Sequence, residues 1–239
     1  MPEPDTNAAI WKSEEIVQNW AAEAARHEQR RAPQRQLMAE LLPFDEHEAF
    51  TFLDLGAGTG AASRAILAAY PSSNAILADF SPQMMGQGQH ELQPFAQRFR
   101  YVEFDMSTGD WPDAIPATLD AIVTSMCVHH LPDDRKRSLF AEIFDRLAPG
   151  GWYLNYDPVR SDDPAIEAIW EHVKDRQDPD SAHRRQHRSP DERARYENHV
   201  RYIIPLAPQL EYLRSVGFEA IDVYWKQLDE VIYGGHRPA

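Results

Sequence analysis

Between residues 50 and 156, five short apolar runs alternate with stretches of helical periodicity, and no other feature restricts the fold of this chain as much. The runs are Phe50–Leu55, Ala75–Ala78, Tyr101–Phe104, Leu119–Thr124 and Trp152–Tyr156. Between them, Ala62, Ala65, Ile66 and Ala69 space out a small-residue helix that Pro71 ends, and Ser81-Pro82 opens a second with a cap followed by proline. Leu139, Phe140, Ile143, Phe144 and Leu147 mark the apolar face of a third, with Asp133 as its expected cap and Pro149-Gly150-Gly151 as its stop. Strand–helix alternation with short connections predicts right-handed crossovers and a mostly parallel sheet. Strands apolar almost throughout predict helices on both faces, a doubly wound α/β architecture.

The flanks read differently. Ser13, Glu14 and Glu15 suit a helix start, and Val17, Trp20, Ala21 and Ala24 follow helical spacing. Leu37, Met38, Leu41 and Leu42 form another apolar stripe, with Pro33 expected to break or start a helix. After Pro158 the rhythm breaks into a charged stretch in which Ile166, Ile169, Trp170 and Val173 support one helix. Ala207–Ser215 reads as another helix, and strands are expected at Glu219–Trp225 and Val231–Tyr233. At roughly 150 residues per domain, 239 residues make one large domain or one with an insertion. The expected organisation is a helical extension over 1–48, a core over 49–158, a helical cap over 159–208, and a closing helix and strand pair over 209–239.

The chemistry concentrates after the first strand. Gly56, Gly58 and Gly60 alternate in Gly56-Ala57-Gly58-Thr59-Gly60, a pattern that lets the backbone turn tightly and approach a ligand. Amides at the start of the next helix can hold polar ligand groups. The glycine spacing lacks the longer second gap of a dinucleotide pyrophosphate loop, which disfavours a nicotinamide enzyme. Acids end successive strands: Asp54, Asp79 and Asp105. Ligands of open α/β sheets bind beyond the carboxyl ends of the strands, and a carboxylate there can accept both hydroxyls of a ribose. Asp79 is placed for that task; Asp54 reads also as a helix-capping acid and Asp105 as a turn acid.

With those residues in view, the chain resembles the class I S-adenosylmethionine-dependent methyltransferases. Five blocks carry the resemblance in order: Leu53-Asp54-Leu55-Gly56-Ala57-Gly58-Thr59-Gly60, Ala78-Asp79-Phe80-Ser81-Pro82-Gln83-Met84-Met85, Glu103-Phe104-Asp105-Met106, His129-His130-Leu131-Pro132-Asp133-Asp134 and Leu147-Ala148-Pro149-Gly150-Gly151. The resemblance implies a Rossmann-like seven-stranded sheet whose last strand is antiparallel. It implies that Gly56, Gly58 and Gly60 wrap the methionine part of S-adenosylmethionine, Asp79 holds the ribose, Phe80 and Met84 flank the adenine, and Asp105 and Met106 meet its edge. Ala57 and Ser125 join these as cofactor contacts. The ends of the chain are similar to carboxy-S-adenosylmethionine synthases, through Arg30-Arg31-Ala32-Pro33-Gln34-Arg35, Leu213-Arg214-Ser215-Val216-Gly217-Phe218 and Tyr224-Trp225-Lys226. Their carboxylate-holding arginine falls near Tyr212, with Arg214 as an imperfect neighbour.

The expected activity is methyl transfer to a small molecule by in-line displacement, in which positioning supplies most of the acceleration. A carboxy-S-adenosylmethionine synthase-like enzyme and a cofactor-binding partner subunit without turnover are the alternatives. A hydroxyl acceptor would need a base, for which His129, His199 and Tyr202 are candidates. In this family a histidine at His130 orders the loop after the fourth strand, and no metal site is expected. Cys127 reads as a small buried residue rather than a nucleophile. Candidate substrate contacts are Trp20 and Arg31 from the N-terminal helices and Arg184, Arg185 and Tyr196 from the cap. The cap arginines read either as a grip on an anionic substrate or as a solvated face paired with Asp191, Glu192 and Glu197.

Composition narrows the partners. A net charge of −14, from 24 basic and 38 acidic residues, argues against nucleic acid as a direct acceptor. One cysteine excludes an internal disulfide framework and a cysteine-rich zinc site. No apolar run approaches the roughly 20 residues of a membrane-spanning helix, and the acidic start Met1-Pro2-Glu3-Pro4-Asp5 does not resemble a signal peptide. A cytoplasmic protein is expected, and a homodimer stays open.

Overall fold

The computed structural model describes residues 29–239, apart from the side chains of Ser181, Arg184, Asp191 and Arg195. A first helix, α1, is described over residues 29–40. The core runs β1 (Thr51–Leu55), α2 (Ala61–Ala69), β2 (Asn74–Asp79), α3 (Pro82–Glu91), β3 (Phe99–Glu103), β4 (Leu119–Ser125), α4 (Asp133–Arg146) and β5 (Leu147–Pro158). The remainder is α5 (Pro164–Gln177), α6 (Pro179–Gln186), α7 (Pro190–Val200), α8 (Leu206–Val216), β6 (Glu219–Gln227) and β7 (Glu230–His236).

The seven strands form one sheet in the order β3-β2-β1-β4-β5-β7-β6. The five core strands pair in parallel, whereas β7 lies antiparallel to both β5 and β6. The order reverses at β1, whose neighbours are β2 and β4, and the crevice beyond their carboxyl ends is where such sheets hold ligands. Strand alternation divides the core in two. Leu53, Leu55, Ile122 and Tyr153 pack on one face with Leu139, Phe140 and Ile143 of α4 and Leu213 of α8. Phe52, Leu77, Val123 and Leu154 pack on the other with Met38 and Leu42 from α1 and its end and Ile66 and Leu67 of α2. Both faces are dry, as nearly continuous apolar strands require.

Local structure departs from expectation in a few places. The helix described from residue 29 runs through Pro33 to residue 40 without breaking. Pro132, not Asp133, is the cap position of α4, and Asp133 and Asp134 sit in its first turn, where they complement the helix dipole. β3 ends at Glu103, so Asp105 belongs to the following turn, with its Oδ1 accepting from Ser107 N at 2.9 Å. The 159–201 stretch contains two helices that sparse apolar spacing concealed, α6 and α7; α7 starts with a Ser189–Glu192 capping box. The Ser81 cap of α3 and the Gly217 stop of α8 form as expected, Gly217 with φ 106°. The cap segment is pinched at its base, where Arg160 N donates to Ile204 O and Arg160 bridges Pro205. Residues 1–28, including Trp20 and the helix expected behind Ser13, lie outside the described residues.

Candidate functional site

The turn after β1 is built around three glycines in the left-handed region, with φ 72° at Gly56, 54° at Gly58 and 78° at Gly60. Such torsions strain any side-chain-bearing residue. Space excludes side chains as well: a Cβ at Gly56 would fall 2.5 Å from Met106 Cε and 2.7 Å from Cys127 Sγ. Met84 Cε closes over Gly58 at 3.1 Å by the same measure. Methionine, glycine turn and Cys127 thus make one close-packed unit. Gly56 N and Ala57 N both donate to Ala78 O, anchoring the turn on β2.

Two carboxylates flank this unit. Asp79 is held by backbone amides, Gly58 N at 2.7 Å on Oδ2 and Ser81 N at 2.9 Å on Oδ1. Burial raises its pKa against the pull of these amides and that of Phe80. Each carboxylate oxygen retains a second acceptor site, so the fixed group can still receive ligand hydroxyls. Asp54, at the end of β1, accepts from both Ser63 N (3.1 Å) and Ser63 Oγ (2.7 Å) through Oδ2. Asp54 thus anchors the start of α2, but its Oδ1 is buried without a partner among the described residues. Desolvation pushes the Asp54 carboxyl up to about 6 despite the Ser63 bonds. Ser125 Oγ, at the end of β4, is likewise buried and unpartnered. A glycine cradle with two orphaned oxygens fits a ligand that brings donors, such as an amino acid ammonium group. Phe80 and Asp105 are half-buried and Met106 is buried, all on turns beside the same crevice.

A second cluster lies after β4. Met126 has φ 59°, a torsion that costs a non-glycine residue about 1–2 kcal/mol, and its N–H bonds Tyr156 O at 2.7 Å. The chain then makes a single turn of 3-10 helix over Val128–His130. His129 Nδ1 lies 2.8 Å from Asp157 Oδ1, with side chains 2% and 1% exposed. Burial disfavours charge on both, lowering His129 and raising Asp157, while Lys136 and the His129 backbone amide pull Asp157 back. Among the described residues, His129 Nε2 and Asp157 Oδ2 have no hydrogen-bond partner. α7 carries His199 over this pair, with ring centroids 5.0 Å from His129 and 5.1 Å from His130. Lys136 Nζ ties α4 to the cap by donating to Leu131 O and Tyr202 O.

Beneath lies a buried polar chain: Thr124 Oγ1 donates to Asn155 Oδ1, Asn155 Nδ2 to Tyr233 Oη, and Tyr233 Oη to Gln209 Oε1, each at 2.7–2.8 Å. It spans β4, β5, β7 and α8, and its members are fully satisfied, which fixes the strand ends that carry Ser125 and Asp157.

The expected substrate residues separate. Arg31 of α1 is brought in: its side chain is 17% exposed, its Nε lies 3.9 Å from Glu230, and its charge acts on His129, Asp157 and His199. Arg185 is committed elsewhere, paired with Glu171 and Asp175 of α5. Tyr196 is exposed and stacked under Arg188. Tyr202 meets the site through its carbonyl, while Arg201 lies over its ring. Tyr212 donates to Asp133 on the α4–α8 surface and Arg214 pairs with Glu211, so neither forms a carboxylate grip in the crevice. Trp20 lies outside the described residues, as does the Arg184 side chain. Sequence reasoning missed Asp157 and Arg35. The first reads as one more strand-end acid before proline; the second is found only through its charge on Asp54.

Residues 52–151 match the family model described as a methyltransferase domain. An uncharacterised methyltransferase of Bacillus cereus is 27% identical over 125 residues, 52% of this chain and 54% of that protein. Methyltransferase str2 of Strobilurus tenacellus is 30% identical over 115 residues, 48% of this chain and 38% of that protein. The chain thus spans about half the length, or less, of the curated relatives it matches. Among solved structures, PigF with SAH superposes with a TM-score of 0.68 at 17% identity, over 99% of this chain and 63% of that one. Human N-acetylserotonin methyltransferase in complex with SAM gives 0.61 at 16% identity, over 100% and 61%. At these identities the structural likeness speaks for the fold.

Proposed function

Residues 52–151 belong to the class I S-adenosylmethionine-dependent methyltransferases, and we propose that the whole chain methylates a small molecule bound beneath the 160–205 segment. The observation that carries the reading is the glycine cradle beside Asp54 Oδ1, a buried carboxylate oxygen with no hydrogen-bond partner among the described residues. When bound, S-adenosylmethionine supplies an electrophilic methyl group on a sulfonium. On this reading Asp54 receives the methionine ammonium, and Asp79, preset by Gly58 N and Ser81 N, receives the ribose hydroxyls. Phe80, Met84 and Met106 wall the adenine, with Asp105 at its edge. Arg31, His129, His130 and His199 meet the acceptor. The charged Arg31 favours an acceptor bearing an anionic group. Most of the acceleration comes from holding the acceptor atom in line with the methyl group.

Calorimetry with S-adenosylmethionine and its demethylated product tests the reading. Micromolar binding that Asp79→Ala weakens at least ~10-fold, about 1.4 kcal/mol, supports it. Absence of binding to the wild-type protein refutes it. The carboxylate-transfer alternative finds no support in the placement of Tyr212 and Arg214; the mass of any copurifying cofactor separates the two.

A further inference from the structure

We propose that His129, His130 and His199 bind a divalent transition-metal ion, with Asp157 backing His129 from the outer shell. Three imidazoles from two segments about 70 residues apart in the chain each offer a ring nitrogen, and these atoms lie within 4.8 Å of one another. An independent observation points at a ligand: His129 Nε2 is buried, has no hydrogen-bond partner among the described residues, and belongs to a side chain only 2% exposed. An orphaned ring nitrogen at that depth calls for an explanation, and a missing ion is one of few. Asp157 on the opposite nitrogen, at 2.8 Å, is the arrangement by which a carboxylate orients a metal-binding histidine and raises its basicity.

The donor set selects the ion. Imidazole nitrogen suits zinc, cobalt, nickel, copper or iron, whereas magnesium and calcium demand oxygen. Three protein ligands with an open fourth position is the pattern of a catalytic rather than a structural site. At metal–nitrogen distances of ~2.0–2.1 Å, the nitrogens must close to roughly 3.4 Å. His199, in the last turn of α7 and the most exposed of the three, can supply that movement. Two cations stand nearby, Arg31, whose Nε lies 3.9 Å from Glu230, and Lys136, whose Nζ donates to two carbonyls, and the Asp157 carboxylate faces both charges. On the methyl-transfer reading above, the open position takes an oxygen of the acceptor. An ion held there would acidify that oxygen, whose proton would go to water; the oxygen's electron pair would form the new carbon–oxygen bond as the sulfonium's sulfur–methyl bond breaks, its pair staying on sulfur as the neutral thioether of the demethylated product.

The test uses tag-free, full-length protein stripped of metal and titrated with cobalt(II) alone. The expected result is saturation at one equivalent with the visible absorption bands of nitrogen-ligated cobalt, displaced by zinc. His199→Ala, at a solvent-facing position, should weaken binding at least ~100-fold, and Asp157→Asn by ~10–100-fold. Lack of saturable binding, or spectra and affinity unchanged in His199→Ala, overturns the proposal. Cobalt binding with no affinity for S-adenosylmethionine would sink the methyl-transfer reading and leave the metal site standing; the reverse outcome would do the opposite.

Discussion

Asp54→Asn separates what the carboxylate does for the fold from what it does for the ligand. Asp54 is fully buried, its Oδ2 satisfied by Ser63 and its Oδ1 by none of the described residues. Its carboxyl stands at about 6 in the folded protein against 3.8 in the reference state, with desolvation the leading cause. A carboxyl whose pKa is raised on folding binds more protons when folded, so stability is greatest below the unfolded value and falls as pH rises through the folded one. A gap of roughly two units at 1.36 kcal/mol each is on the order of 3 kcal/mol, lost between about pH 4 and pH 6. Asparagine keeps an oxygen for Ser63 and cannot ionise. Urea unfolding of both proteins across this window therefore reports on Asp54 together with its coupling to Asp79, because titrating residues that do not interact with Asp54 cancel in the difference. The wild-type protein should lose on the order of 3 kcal/mol relative to Asp54→Asn as pH rises, while the variant loses affinity for S-adenosylmethionine at pH 7.5. Wild-type affinity should also fall as pH drops below about 6, where Asp54 takes up its proton. Parallel stability curves, or a variant that binds the cofactor as well as the parent, would refute the idea that this orphaned oxygen waits for a cation.

Other perturbations probe the surroundings. In Gly88→Ala the new Cβ would sit 1.9 Å from Tyr101 Oη, which itself donates to Gly58 O; a loss of about 1–3 kcal/mol is expected from overpacking, with weaker cofactor binding by calorimetry. Asn155→Leu takes the acceptor from Thr124 Oγ1 and the donor from Tyr233 Oη, leaving the Tyr233–Gln209 bond in place. It should cost about 1–3 kcal/mol for each group left unsatisfied, read by denaturant midpoint. Arg185→Ala removes a partly exposed pair of ion contacts and should change stability by no more than ~1 kcal/mol, while proteolysis between α5 and α7 accelerates and cofactor affinity holds.

The glycine turn and its flanking carboxylates, proposed above as the cofactor half of the site, were legible because their geometry is local. A glycine turn, the acid before it and the acid ending the next strand lie within Asp54–Asp79, and backbone torsion alone explains why glycine stands at positions 56, 58 and 60. The sheet was legible for a similar reason, since apolar runs of strand length alternate with helical periodicity. The acceptor half depends on contacts that sequence spacing cannot encode. Nothing in the sequence joins His199 to His129; that contact exists because α7 leaves and returns through the pinch at Arg160 and Pro205. Nor does the richness in arginine of the cap predict where guanidinium groups go. Arg185 turns to two carboxylates on α5, while Arg31, from outside the cap, enters the site.

The two halves are mechanically one object, and Met126 is the joint. Its left-handed torsion, φ 59°, separates Ser125, beside the glycine turn, from Cys127, whose Sγ donates to Leu55 O at 3.2 Å, and from the turn bearing His129. A residue bearing a side chain holds such a conformation when its neighbours overdetermine it. Here the Met126 N–H is bound to Tyr156 O on β5, one residue before Asp157. The segment that presents Ser125 to the cofactor crevice is thus tied to the strand that orients His129. On the proposed function, a shift at one set of residues would be carried through Met126 to the other, which couples the placement of the cofactor to that of the acceptor.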